Sequence, residues 1–219
     1  MTTYHRPRLP DLDYPDPAGQ PIRYGHRWDG QPPEDSYSVS THPERFAPLH
    51  QVADALLEHL TSTYDVHLEQ DSWFTREKPG EGTSTHRELR LTPSSPMSAP
   101  LRLAWTDFPG VVVQAGLVAR LVEQQQLFPV CGCDACDDDL EHLVQELEEL
   151  VLAVAEGRFH ERLLTNGWQW SLTTADGSGR SSESAEGLSA DIRRAATQTL
   201  SALPDGRWQP WPLKSAEKA

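Results

Sequence analysis

With 219 residues, 37% of them apolar, the chain is long enough for one hydrophobic core with decorated ends, or for two small cores at most. Mean hydropathy is −0.58, and no apolar run approaches the roughly 20 residues that span a bilayer, so a membrane-crossing helix is excluded. Acidic residues outnumber basic ones 33 to 19; a formal charge of −14 repels phosphate backbones and anionic lipid, and with no local basic patch neither nucleic acid nor a membrane is an expected partner.

The opening Met1-Thr2-Thr3-Tyr4-His5 lacks a basic start followed by an apolar stretch, so no secretory leader is expected. The expected location is cytoplasmic, with reduced thiols. Residues 1–40 read as an extended arm. Pro7, Pro10, Pro15, Pro17, Pro21, Pro32 and Pro33 forbid a regular helix, while Tyr4, Tyr14, Tyr24 and Trp28 can lie on a neighbouring surface or engage a partner.

A single α+β domain is expected over 41–203. Thr41 and Glu44 have capping-box spacing, and Phe46, Leu49, Val52, Ala53, Leu56, Leu57, Leu60 and Tyr64 form the apolar stripe of a first helix, with a kink expected at Pro48. Four strands follow, around Val66 and Leu68, Leu89 and Leu91, Leu101 to Trp105, and Val111 to Ala115. A loop near Gly80 and Gly82 precedes the second, and Asp107-Phe108-Pro109-Gly110 makes the last turn. Leu140, Leu143, Val144, Leu147, Leu150, Val151 and Val154 keep helical spacing, with Glu141, Glu146, Glu148 and Glu149 on other faces and Gly157 as the stop. Trp168, Trp170 and Leu172 alternate as a strand, a weaker one follows the Gly177 loop, and Ser189 caps a final helix. The tail, 204–219, is expected to dock through Trp208, Trp211 and Leu213 and to fray at its end. The order α-β-β-β-β-α-β-(β)-α predicts an antiparallel sheet of four to six strands with helices packed on one face.

The chemistry-bearing feature is Cys131-Gly132-Cys133-Asp134-Ala135-Cys136, which holds all three cysteines. Three readings stand open. If the helix starts near Asp134, Cys133 and Cys136 extend the apolar stripe and act as small buried hydrophobes. If the thiols converge, Cys131, Cys133 and Cys136 are candidate zinc ligands, because thiolate is a soft donor and Cys133-x-x-Cys136 has knuckle spacing. The fourth ligand is then open among His142, His160, His50 and His26. The third reading is thiol–disulfide exchange at Cys133 and Cys136, which the surrounding Asp134, Asp137, Asp138 and Asp139 oppose.

The acidic run reads as helix capping, with Asp137 as one capping candidate, more readily than as a calcium or magnesium site. His50, on the stripe of the first helix, reads as a hydrogen-bonded core histidine, and Asp107 as a turn-stabilising carboxylate. Gly177-Ser178-Gly179-Arg180-Ser181-Ser182 reads as a flexible surface loop, without the lysine of a phosphate loop.

Arg27-Trp28, Pro32-Pro33-Glu34-Asp35, Tyr37, Pro43-Glu44-Arg45-Phe46, Leu49-His50, Val52-Ala53-Asp54-Ala55-Leu56, Thr106-Asp107-Phe108-Pro109-Gly110 and the cysteine motif running into Asp137 make the chain resemble a family of actinobacterial proteins known as a domain of unknown function. The resemblance runs from about Tyr24 to Arg162 and implies no assigned activity, so it carries over no catalytic residue.

Three functional classes follow. The leading one is a non-enzymatic binding or accessory protein with a protein partner, its cysteine cluster a structural zinc site or buried thiols. The second is a thiol- or metal-dependent enzyme centred on Cys133 and Cys136. A third class is a small-molecule binder on the exposed sheet face, which a deep apolar pocket near Trp105 and Trp168 would favour.

Overall fold

The computed structural model describes residues 3–10, 13–74, 84–184 and 188–215. The loop expected near Gly80 and Gly82 and the last four residues of the tail lie outside the described residues.

Helix α1 spans Pro48–Thr63 and follows a 3-10 turn over Pro43–Phe46. Pro48 begins the helix rather than kinking it, because the first turn needs no proline N–H. The expected Thr41 capping box does not form: Thr41 turns instead to Asp134. The stripe is as read, with Phe46, Leu49, Val52, Ala53, Leu56 and Leu60 fully buried.

Strands β1 (Val66–Gln70), β2 (Thr85–Pro93), β3 (Leu101–Thr106), β4 (Gly110–Ala115) and β5 (Gln126–Phe128) form a five-stranded antiparallel meander in chain order. The short helix α2 (Val118–Leu121) links the last two strands. Leu91, Leu101 and Ala115 stand in one cross-strand row, and Leu89, Leu103 and Val113 in the next, so the alternation of strand side chains puts all of them into the core. Offset by one residue, Glu69, Arg90, Arg102 and Gln114 form a polar row on the reverse face.

Helix α3 (Leu140–Ala155) packs on α1 and also contacts β6 (Phe159–Leu164) and β7 (Gly167–Thr173). With β8 (Gly179–Ser184) these two make a separate three-stranded antiparallel sheet. The α+β class therefore holds, with eight strands in two sheets among the described residues. The strands missed, β5 and β6, are short or polar: Gln126 is half-buried, and β6 reads Phe-His-Glu-Arg-Leu-Leu, which shows little apolar alternation. Residues Gly179 to Ser182, expected as loop, belong to β8, and the tight turn before them is closed by Thr174, Asp176 and Ser178.

Helix α4 (Ala190–Leu200) is capped by the Ser189 hydroxyl, which accepts from Ile192 N at 3.3 Å. Trp208 and Trp211 are buried beyond it. Trp211 Nε1 donates to Ala99 O at 2.8 Å, and Trp208 Nε1 to the buried Glu161 carboxylate at 3.0 Å. The amides of Leu117 and Val118, at 2.7 and 2.8 Å, complete the pairing of Glu161. Gly116 permits this approach: it has φ +85°, and a Cβ there would lie 2.4 Å from Glu161 Oε2. Trp105 and Trp168, each 2% exposed, fill the core.

Candidate metal centre

The cysteines do not sit on a helix. Helix α3 begins at Leu140, and its N-cap is Asp139, whose carboxylate accepts from His142 N at 3.1 Å. Residues 131–136 are a turn ahead of that helix, closed by Cys136 N donating to Cys133 O at 3.1 Å. The reading of Cys133 and Cys136 as part of the apolar stripe therefore fails, because the helix starts four residues after Cys136. Asp137, a capping candidate from sequence, instead accepts from Arg27 N at 2.7 Å and has φ +51°.

The three sulfur atoms meet: Cys131, Cys133 and Cys136 place their Sγ atoms within 4.8 Å of one another, and Cys133 and Cys136 are 3.5 Å apart. Cys133 is buried, whereas Cys131 and Cys136 are exposed. Gly132 makes the convergence possible. It takes φ +78°, and a Cβ there would stand 2.7 Å from Phe108 Cζ. The chain enters this turn through Pro129 and the exposed Val130.

The turn is clasped by the segment between Arg27 and Arg45. Val39 O accepts from Asp134 N at 2.7 Å, and Ser36 O from Ala135 N at 3.1 Å. Ser40 Oγ donates to Gly132 O at 3.0 Å. The Asp134 carboxylate, 3% exposed by residue, is the hub. It accepts from Thr41 N at 3.1 Å and from the Thr41 hydroxyl, and it faces Arg27 Nη1 at 3.4 Å and Arg45 Nη1 at 3.9 Å. Burial alone would raise its pKa, but the Thr41 donors and the Arg27 charge outweigh burial and hold it below the usual carboxylate range. Sequence reasoning set Asp134 against the thiols; the fold turns it away from them and onto two guanidinium groups.

Cys133 and Cys136 are driven in opposite directions. Burial opposes ionisation of Cys133, yet donation from the Cys131 and Cys136 thiols and from the amides of Cys136 and Ser38 wins, and Cys133 is drawn down to about 7. Burial, together with its hydrogen bonds to Cys133 and Cys131 and their charge, pushes Cys136 up to about 12. Three sulfurs this close form a donor set that a soft cation can complete by replacing thiol protons.

The candidate histidines are elsewhere. Among the described residues no imidazole or carboxylate joins the thiol group within 4.8 Å. His142 Nε2 faces Glu146 at 3.3 Å, and His26 is exposed. His50 Nε2 is engaged by Gly110, 2.9 Å from its O and 3.2 Å from its N, as a satisfied core histidine would be. His160 sits in β6 opposite Ser171. Asp107 does not hold its own turn: Thr106 Oγ1 donates to Phe108 O at 2.5 Å, and Asp107 takes the Ser84 hydroxyl.

A family model matches residues 10–215, which include both sheets, helices α1 to α4 and the thiol turn. The chain belongs to DUF6226, a family of unknown function. Neither curated proteins nor solved structures supply a match. The match reaches well beyond the stretch from Tyr24 to Arg162 on which the sequence resemblance rests. Among the described residues no helix is long and apolar enough to cross a membrane. The three thiols of this DUF6226 chain can hold a metal ion.

Proposed function

We propose that the chain is a non-enzymatic binding or accessory protein of the reducing cytoplasm, in which Cys131, Cys133 and Cys136 hold one structural zinc ion. The observation that carries this reading is three sulfurs within 4.8 Å in a turn clasped by main-chain bonds from residues 36 and 39. Ligands of a single tetrahedral ion with Zn–S near ~2.3 Å lie ~3.8 Å apart, which the cluster matches. A polynuclear iron–sulfur centre attaches its cysteines to different irons and needs a wider spread. Bound there, zinc would tie the thiolates into one cross-link and add its binding free energy to folding. The fourth ligand is assigned to a water molecule or to a donor on a protein partner, at the exposed side marked by Cys131 and Cys136.

The test is metal content and thiol accounting. Protein purified without added metal is expected to carry about one zinc per chain, with its thiols slow to react until a chelator is added. Cys133→Ser is expected to lose the ion and melt at lower temperature. Metal-free protein with three freely reactive thiols overturns the reading.

A second reading rests on the 3.5 Å between Cys133 and Cys136. In thiol–disulfide exchange the two thiols would form an S–S bond, releasing two protons and passing two electrons to a partner disulfide, which becomes two thiols. Metal-free protein that reduces a disulfide substrate, and loses this on Cys133→Ser with the fold intact, would favour it.

A further inference from the structure

The reverse face of the five-stranded sheet carries a feature unrelated to the thiols. A cavity of about 510 Å³ opens there, walled by β1 to β4, by the loop between β2 and β3, by α2 and by the end of α4. Its size falls within the ~300–1,000 Å³ of small-molecule sites.

Its floor is the polar row of the sheet, and that row is held rigidly. Arg90 pairs with Glu69 at 3.0 Å and with Asp71 at 2.9 Å. Arg102 Nη1 donates to Gln114 Oε1 at 3.0 Å. Gln114 in turn donates to the main-chain oxygens of Ala119 and Gln124, both at 3.2 Å. Arg102 Nε faces Asp71 Oδ2 at 3.0 Å. Arg120 enters from α2 and, among the described residues, has no carboxylate partner. The remaining wall mixes hydroxyls, from Thr92, Ser95, Ser98 and Thr199, and the imidazole of His67 with an apolar, stiff part made by Pro96, Leu117 and the indole of Trp208, itself fixed by Glu161.

Among the described residues, three guanidinium groups against the carboxylates of Glu69 and Asp71 leave one positive charge over the cavity, in a chain of net charge −14. A single excess charge suits a monoanion better than a phosphate with two charges. The planar fork of arginine fits a carboxylate, and the apolar part of the wall fits a hydrocarbon body. We propose that this cavity is a binding site for a small monocarboxylic acid with an apolar body, its carboxylate on Arg120 and Arg102 and its body against Trp208 and Leu117.

The experiment uses the full chain and a matched pair of probes, octanoate and its neutral amide octanamide, with inorganic phosphate as a third. Binding is followed by calorimetry and by ligand-observed NMR. Octanoate is expected to bind at least about tenfold more tightly than octanamide, and Arg120→Gln to weaken octanoate by about tenfold or more, since a charge-assisted pair is lost. Thr199→Trp, which fills the cavity from α4 without removing an arginine, is expected to abolish octanoate binding while the melting temperature stays close to that of the parent. Equal binding of acid and amide, tighter binding of phosphate, no octanoate binding at about ten millimolar, or retention in both variants would each overturn the assignment.

Discussion

The indole Nε1 of Trp28 donates to the main-chain oxygen of Asp134 at 3.0 Å, 106 residues further along the chain. The bond joins the proline-rich segment to the thiol turn, and its neighbours make the same connection. Arg27 N binds Asp137, and Thr41 and Arg45 meet Asp134. The segment before the first helix thus works as the outer wall of the candidate metal centre.

Asp134→Asn is expected to destabilise the chain by about 1.5–3 kcal/mol, because the amide keeps partners for Thr41 but removes the charge facing Arg27 and Arg45. Chemical denaturation of both proteins under one condition measures it. An unchanged midpoint would show that the two guanidiniums do not depend on this carboxylate.

Gly132→Ala probes the turn. The new Cβ would stand 2.7 Å from the Phe108 ring, at φ +78°, so ring or turn must shift. The expected cost is about 1–3 kcal/mol, with weaker zinc retention in a chelator competition because the sulfurs no longer converge. Full retention of both stability and metal would contradict the geometry.

Trp208→Phe keeps a ring in the core and removes one donor from the Glu161 carboxylate, which is buried at 3% exposure. A loss of about 1–3 kcal/mol is expected from equilibrium unfolding. A double mutant with Glu161→Gln should show a smaller effect of Trp208→Phe, since the charged acceptor is then gone.

His50 supplies a pH dependence. Burial is the largest influence on it and lowers its pKa below 6.5, against a smaller opposing effect of its hydrogen bond to Gly110. The unfolded chain therefore binds this proton at a higher pH than the folded one. The His50 contribution to stability is present above pH 6.5 and is lost as pH falls through the folded value. NMR titration should place His50 below 6.5, and His50→Gln should flatten the slope of unfolding free energy against pH in that window. A His50 midpoint at or above 6.5 would reverse the sign.

The long elements were legible because each carries its own period. The stripes of α1 and α3 and the alternation of Leu89 and Leu91 in β2 state which face is buried, whatever the rest of the chain does. Glu148 shows the limit of that logic. By position it belongs on a polar face of α3, yet it is buried, since Tyr4 Oη donates to it at 2.7 Å and Arg6 Nε at 2.9 Å. A helix wheel cannot register a cover that arrives from another part of the chain.

By itself the sequence determined the α+β class, the two long apolar helices, the antiparallel meander and the six-residue span in which the thiols lie, because period and spacing are local properties. Only the tertiary structure decided that the sulfurs face one another ahead of α3, that no histidine among the described residues joins them, and that Arg90, Arg102 and Arg120 gather over one cavity. Those outcomes rest on strand register and on contacts more than 80 residues apart, such as the bond from Ser40 to Gly132, which spans 92. Local pattern carries no information about such pairings, since they form only when separate elements close on a common core.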